Sequence, residues 1–296
     1  MDWSLLIARI LYIFMWIAFI VVIAVAISII CSYFIIDVTE YTITSEKIPS
    51  AFNGYKILQI SDLHNTSYGK GNSKLLKKVE EINPDIVVMT GDMISTDSKH
   101  YSVFYSFSEK IAKNYPTYYI MGNHEMRLSW EQQIEIMREL NSLGVNVLNN
   151  KGVAISKDDE FIQIYGLHQP ITTYKNALKD DIKTDFSLEN MQQILPTADN
   201  STFNILLSHS PFDFEIFAKW GADLVLSGHV HGGLIRLPFI GGVLSPERTL
   251  FPKYDAGEYS YENSKMIVSR GLGNGTIDLR IFNNPELCVI KLSSSH

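Results

Sequence analysis

Five short apolar runs in this 296-residue chain each break into a polar cluster. YKILQI ends in SDLH, DIVVM in TGD, TYYIM in GNHE, FNILL in SHSP, and DLVL in SGHVHGG. Helix-like stretches separate several of the runs. NSKLLKKVEEIN is one, and WEQQIEIMRELNSLG is another, with Ile134, Met137 and Leu140 spaced for a buried face and Gly144 as its stop. VTEYTIT, earlier in the chain, alternates as a strand. Short apolar strands separated by helices build a sheet covered on its faces, and ligand groups gather beyond the carboxyl ends of such strands. The repetition therefore brings Asp62, His64, Asp92, Asn123, His124, His209, His229 and His231 onto one rim. Turn chemistry explains Asp, Asn and Gly at strand ends, but it does not supply histidines there. His229 and His231 stand at i and i+2, so an extended backbone would aim both rings at one spot.

The donors on this rim are carboxylate oxygen, imidazole nitrogen and amide oxygen, without sulfur. Such a set suits Mn, Fe or Zn ions and not Ca²⁺, which prefers oxygen alone. Seven plausible ligands exceed what one ion with an open position needs. Two ions sharing a carboxylate fit better, and paired metals can clamp the attacking and departing oxygens of a displacement at phosphorus. The two cysteines, Cys31 and Cys288, lie in an apolar N-terminal segment and a late strand-like run, so no disulfide or thiolate site is expected.

Ile10 to Ile36 contains no charged residue. At helical rise it spans roughly 40 Å, against a hydrocarbon core of about 30 Å. That is too long for the apolar region of a secretory signal, so an uncleaved single-pass anchor is expected. Arg9 precedes the segment, while Asp37, Glu40 and Glu46 follow it. This bias places the N-terminus in the cytoplasm and the soluble part on the extracytoplasmic side. The expected organisation is a flank at 1–9, an anchor at 10–36, a linker and lead-in strand at 37–54, and a catalytic domain at 55–296. The net charge of −7 disfavours a nucleic-acid partner held through backbone phosphates.

DLH, GD, GNHE, SH and GHVH, in that order, resemble the calcineurin-like metallophosphoesterase superfamily from about Tyr55 onward. GGLIRLPFIGG, FPKYDAGEY and SRGLGNG resemble its membrane-associated bacterial branch. The resemblance implies an α/β fold, a four-layer α/β/β/α sandwich of two mixed sheets, here preceded by one N-terminal transmembrane helix. It implies a first metal held by Asp62, His64, Asp92 and His231, and a second by Asp92, Asn123, His209 and His229. His124 would contact the substrate and protonate the leaving oxygen, while a hydroxide bridging the metals attacks in line. Several branches carry a second aspartate three positions after that of GD, where it orients the catalytic histidine. Here that position is Ser95, which leaves Asp97 or Glu125 as candidates.

The expected activity is hydrolysis of a phosphoester or pyrophosphate bond in a phosphorylated small molecule or lipid-linked substrate. A metal-dependent nuclease and a membrane scaffold without turnover are the alternatives. Leu237, Phe239 and Ile240 in GLIRLPFIGG read either as ordinary packing or as an apolar lip meeting acyl chains. Residues 171–200 read as a surface excursion or a substrate lid. Arg270 reads as a substrate contact or an ion-pair anchor.

Overall fold

Alternation along the strands divides their side chains between two apolar layers. In the computed structural model, which describes residues 3–174, 185–245, 248–275 and 279–295, helix α1 (Trp3–Phe34) leads into strand β1 (Asp37–Ser45). Then come β2 (Lys56–Ile60), α2 (Ser73–Ile82), β3 (Ile86–Met89), α3 (Ser102–Ala112) and β4 (Thr117–Tyr119). The single turn α4 (Asn123–Met126) and α5 (Trp130–Ser142) precede β5 (Val145–Val147), β6 (Lys151–Lys157) and β7 (Glu160–Leu167). After α6 (Leu188–Ile194) follow β8 (Asn204–Ser208), α7 (Phe214–Trp220) and β9 (Leu224–Ser227). A short hairpin, β10 (Arg236–Leu237) with β11 (Gly241–Gly242), is followed by β12 (Gly257–Tyr261), β13 (Ser264–Val268) and β14 (Glu286–Ser294).

Two six-stranded mixed sheets result, ordered β1-β14-β2-β3-β4-β5 and β12-β13-β9-β8-β7-β6. Ile57 of β2 and Val88 of β3 join Ile164, Ile205, Leu207 and Leu226 in the layer between the sheets. Their neighbours Leu58, Val87 and Met89 face the other way, onto Leu75, Val79, Phe104, Phe107, Ile136 and Leu140 of α2, α3 and α5. On the far side Leu206, Val225 and Met266 meet Met191, Phe214, Phe217 and Trp220 of α6 and α7. Each such buried side chain contributes about 1.5–3 kcal/mol of transfer free energy. The architecture is thus the α/β/β/α sandwich that the sequence implied, with one long apolar helix ahead of it.

Local differences have simple causes. In α5 the buried pair is Ile136 and Leu140, one turn apart, while Ile134 and Met137 are half-buried. The helix therefore turns a slightly different stripe to the core than the i, i+3, i+6 spacing suggested. Gly144 does follow its end, in left-handed backbone at φ 87°. The expected lead-in strand is more than a connection, since β1 pairs in parallel with β14 over its whole length, from Asp37↔Glu286 to Ser45↔Ser294. Within 171–200 the structure describes α6, capped by Ser187, whereas 175–184 of the expected excursion lie outside the described residues.

Candidate metal centre

The ladders of both sheets continue past the strand ends as loop-to-loop hydrogen bonds. Asp62 N–H donates to Gly91 O and His64 N–H to Asp92 O, each at 3.0 Å, so the first two polar clusters lie side by side. Gly228 N–H donates to His209 O at 3.0 Å, joining the last two. Leu272 and Gly273 N–H donate to Ser61 O and Asp62 O, which stitches the rims of the two sheets together. Five of the residues so placed, Asp62, His64, Asp92, His229 and His231, have φ between 49° and 73°. Left-handed backbone is unfavourable for such side chains and persists only where surrounding contacts enforce it. GHVH is therefore not extended as its spacing suggested. The two rings diverge, with His229 packing beside His209 and His231 beside His64, each pair at 5.1 Å between ring centres.

Three sets of potential ligand atoms lie within 4.8 Å of one another: Asp62, His64 and His231; His64, Asp92 and His124; and Asp92, His209 and His229. Asp92 thereby stands between two neighbouring clusters. All seven residues expected to bind metal are buried, and Asn123 lies on the first turn of α4 beside them.

The arrangement leaves electron pairs pointing at one another. His209 Nδ1–H donates to Thr90 O at 2.7 Å and His231 Nδ1–H to Gly273 O at 3.2 Å, so in each ring, when neutral, Nε2 carries the lone pair. His231 Nε2 lies 3.2 Å from His64 Nε2 and 3.3 Å from Asp62 Oδ1. His209 Nε2 lies 3.1 Å from Asp92 Oδ2 and 4.0 Å from Asp62 Oδ1. Among the described residues, neither His209 Nε2 nor Asn123 Oδ1 has a hydrogen-bond partner, although both are buried. Burial without a partner is costly for such atoms, and cations among them would satisfy the whole set. The residues present fit two ions.

Ionisation at His64 and His231 agrees with that geometry. Burial pushes the His64 imidazole down to about 3 and His231 well below its usual range, so both remain unprotonated, as ligation requires. Burial also raises the Asp62 carboxyl. His209 runs the other way: burial lowers it, but the neighbouring Asp92 carboxylate prevails and raises it to about 9. The charged ring in turn overcomes burial to hold Asp92 well below the ordinary carboxylate range, so a cation binding there would displace that proton.

Glu125, the last residue of GNHE, accepts from the backbone N–H groups of Asp92, Met93, Ile94 and Gly122 at 2.7–3.2 Å. It ties the loop after β3 to the loop after β4 and does not orient His124. That part falls to Thr96, whose N–H donates to His124 Nδ1. Ser95 Oγ instead sits 3.2 Å from His64 Nδ1.

The remaining expected residue, Arg270, forms ion pairs with Glu286 at 3.0 Å and Asp37 at 3.2 Å. Sequence reasoning overlooked Arg280, a lone arginine outside any motif. Its guanidinium is buried and donates to the carbonyls of Arg270, Gly271 and Gly273, fixing the loop over His231. Asn283 was missed for the same reason, and its amide donates to His231 O at 2.7 Å. His168, just past the end of β7, is a loop histidine bonded to Asn149.

The family model for calcineurin-like phosphoesterases matches residues 55–233. Metallophosphoesterase YkuE of Bacillus subtilis is 29% identical over 88% of this chain and 87% of its own. A metallophosphoesterase of Aquifex aeolicus is 30% identical over 88% and 93% respectively. Phosphodiesterase YaeI of Escherichia coli is 25% identical over 80% of this chain and 82% of its own. Residues 55–233 carry all five strand-end clusters, and the chain belongs to the calcineurin-like phosphoesterase family, metal-dependent phosphohydrolases with a dinuclear metal centre.

Proposed function

We propose that this chain hydrolyses a phosphoester or pyrophosphate bond at a pair of Mn, Fe or Zn ions. Asp62, His64, Asp92 and His231 would hold one ion, and Asp92, Asn123, His209 and His229 the other. The observation that carries this reading is the convergence of ligand atoms in three overlapping sets, each within 4.8 Å, with Asp92 shared between two of them and His64 Nε2 only 3.2 Å from His231 Nε2. When bound, the cations supply Lewis acidity, activating water and neutralising charge on the phosphoryl oxygens.

The chain's own residues supply position and protons. Asp92 lies between the two ligand sets and fixes their separation. His124 packs edge-on against His64 at 4.7 Å between ring centres, near enough to reach a departing oxygen and donate to it from Nε2. Tyr174 and Phe212 stand against His229 and wall off that side from solvent. Arg270, supported by its two carboxylates, lines a cavity of about 550 Å³ beside the β10–β11 hairpin, from which it would contact substrate phosphate.

The reading includes an anchor. α1 is long and apolar enough to cross a membrane. With Arg9 on the cytoplasmic side, the sandwich would lie on the extracytoplasmic face, and a lipid-linked substrate would be within reach. The deciding experiment is hydrolysis of bis-nitrophenyl and nitrophenyl phosphate by protein purified without chelator, alongside its metal content. Two ions per chain with metal-dependent turnover are expected. A metal-loaded protein inert towards both esters, and towards a pyrophosphate, would leave the scaffold alternative standing. Labelling of intact cells with an impermeant amine reagent tests the side of the membrane.

A further inference from the structure

The hairpin β10–β11 is held stiffly yet presents bare apolar side chains. Asp255 accepts from Arg236 Nη1 at 2.8 Å, from Gly242 N–H at 2.5 Å and, through its other oxygen, from the Tyr259 hydroxyl at 2.5 Å. At the tip Phe239 is fully exposed at a φ of 67°, and Ile240 beside it is exposed too. Leu237, Leu250, Phe251 and Phe282 extend the same uncovered surface along the adjoining bridges. A network of charged and polar bonds spent on displaying phenylalanine to water has no folding benefit. Contiguous exposed apolar surface of this kind marks an interface.

Its position names the occupant. Arg236 N–H donates to Ile281 O, and the next residue, Phe282, donates its N–H to Ser28 Oγ in α1 at 2.5 Å. If Arg9 sits among the headgroups on one side, about 30 Å of helix from Ile10 ends near Ile29. Ser28, and Phe282 with it, then lie where hydrocarbon meets headgroups on the other side. The burial pattern of α1 agrees, because Ala24, Val25, Ser28 and Ile29 are half-buried against the sandwich whereas Trp3–Ile23 are exposed throughout. Aromatic and aliphatic side chains at that level partition into the boundary between headgroups and acyl chains.

We propose that the hairpin tip, Leu237 to Ile240, and Phe282 enter the lipid leaflet beside α1 and hold the metal rim at the bilayer surface. The inference rests on α1 being the anchor of the proposed phosphoesterase, and it adds a second, independent point of membrane contact. Phe282 is followed by Asn283, whose amide grips the carbonyls of His231 and Gly233. Two consecutive residues therefore link the inserted lip to a proposed metal ligand, which sets the height of the site above the membrane. A phosphoester carried on an acyl chain would reach the rim without leaving the leaflet.

The test uses the full chain in phosphatidylcholine–phosphatidylglycerol vesicles. A nitrobenzoxadiazole label is placed on Phe239→Cys or Phe282→Cys in a Cys31→Ser background, since the remaining Cys288 is buried. Phe161→Cys is the control. It is exposed on the β6–β7 hairpin, whose Glu160 bonds Ala51 beyond the end of β1 remote from α1. Labels at 239 and 282 should emit to the blue and lose most of their intensity to phosphatidylcholine brominated near the glycerol backbone. The label at 161 should do neither. Aqueous emission at 239 and 282, or equal quenching at 161, overturns the proposal. So does blue emission that brominated lipid leaves unchanged and that grows with protein concentration, which would mean a second copy covers the lip. Hydrolysis of soluble bis-nitrophenyl phosphate by the unlabelled parent chain in the same vesicles reports on the phosphoesterase reading separately.

Discussion

The backbone N–H of Thr96 donates to Nδ1 of His124 across 3.1 Å, while the Thr96 hydroxyl donates to the His124 carbonyl at 3.0 Å. The Thr96 oxygen also lies 3.1 Å from Nδ1 and can accept from it, so a charged ring finds a place for its Nδ1–H, and loss of the Nε2 proton to a leaving oxygen returns it to the neutral form. His124→Ala should keep its metals and lose about 10²–10⁴-fold in rate on alkyl phosphoesters, where the leaving oxygen needs a proton. On nitrophenyl esters the loss should be much smaller. Thr96→Val retains the N–H and should stay within about tenfold of the parent, as removal of one modest hydrogen bond implies. A uniform loss across leaving groups for His124→Ala would exclude proton donation.

Glu125 gathers four backbone N–H groups with one buried carboxylate. In Glu125→Gln an amide NH₂ must face donors that it cannot accept from. The loop bearing Asp92 should loosen, and metal affinity should fall by about 10–100-fold, the range seen for groups supporting ligands. Metal titration of hydrolysis rate would show this as a shifted midpoint with much of the saturated rate retained.

Gly91 immediately precedes the bridging candidate Asp92 and has a φ of 91°. A Cβ there would come within 2.5 Å of the Gly122 backbone nitrogen, where neither loop has room to give. Gly91→Ala should destabilise the protein by more than about 1 kcal/mol from backbone strain alone. Denaturant unfolding gives the stability change, and the separation of the loops should appear as reduced metal content.

Chelation should lower the melting temperature reversibly, because the facing imidazoles and carboxylates lose the charge that reconciles them. Re-addition of Mn²⁺ to about 100 times its dissociation constant should restore about 2.7 kcal/mol per site by mass action. Calorimetry across a metal series would test it, and a melting temperature indifferent to metal would contradict the ligand set.

Arg270 and Glu286 form a partly buried pair. Burial raises the Glu286 carboxyl, but the guanidinium prevails and holds it below its ordinary value. A carboxyl so lowered stabilises the fold above its unfolded value of 4.5 and ceases to do so as pH falls through the lower folded value. Arg270→Met should therefore cost about 3–5 kcal/mol at neutral pH by stranding Glu286, with the deficit shrinking below about pH 4.5. Urea melts at several pH values would reveal the convergence. A raised KM in the same variant would support the contact with substrate phosphate.

The sandwich and its rim were readable because strand-end clusters are local in sequence and β-sheet topology turns them into neighbours. DLH, GD, GNHE, SH and GHVH each begin within three residues of a strand end. What escaped reading acts across the chain through isolated residues. Arg280 and Asn283 reach His231 from 49 and 52 residues away and share no pattern with it. Thr96 escaped because the bond comes from its backbone, which any residue other than proline could supply. On α5 the spacing found Leu140 and the half-buried Met137 but named Ile134 where Ile136 is buried, because helical spacing fixes a face but not its exact rotation against the sheet.

The left-handed backbone at Asp62, His64, Asp92, His229 and His231 has an evolutionary consequence. A descendant that abandoned turnover would gain stability at each of these positions by drifting to glycine or asparagine. The rim would then erode quickly and in a recognisable direction.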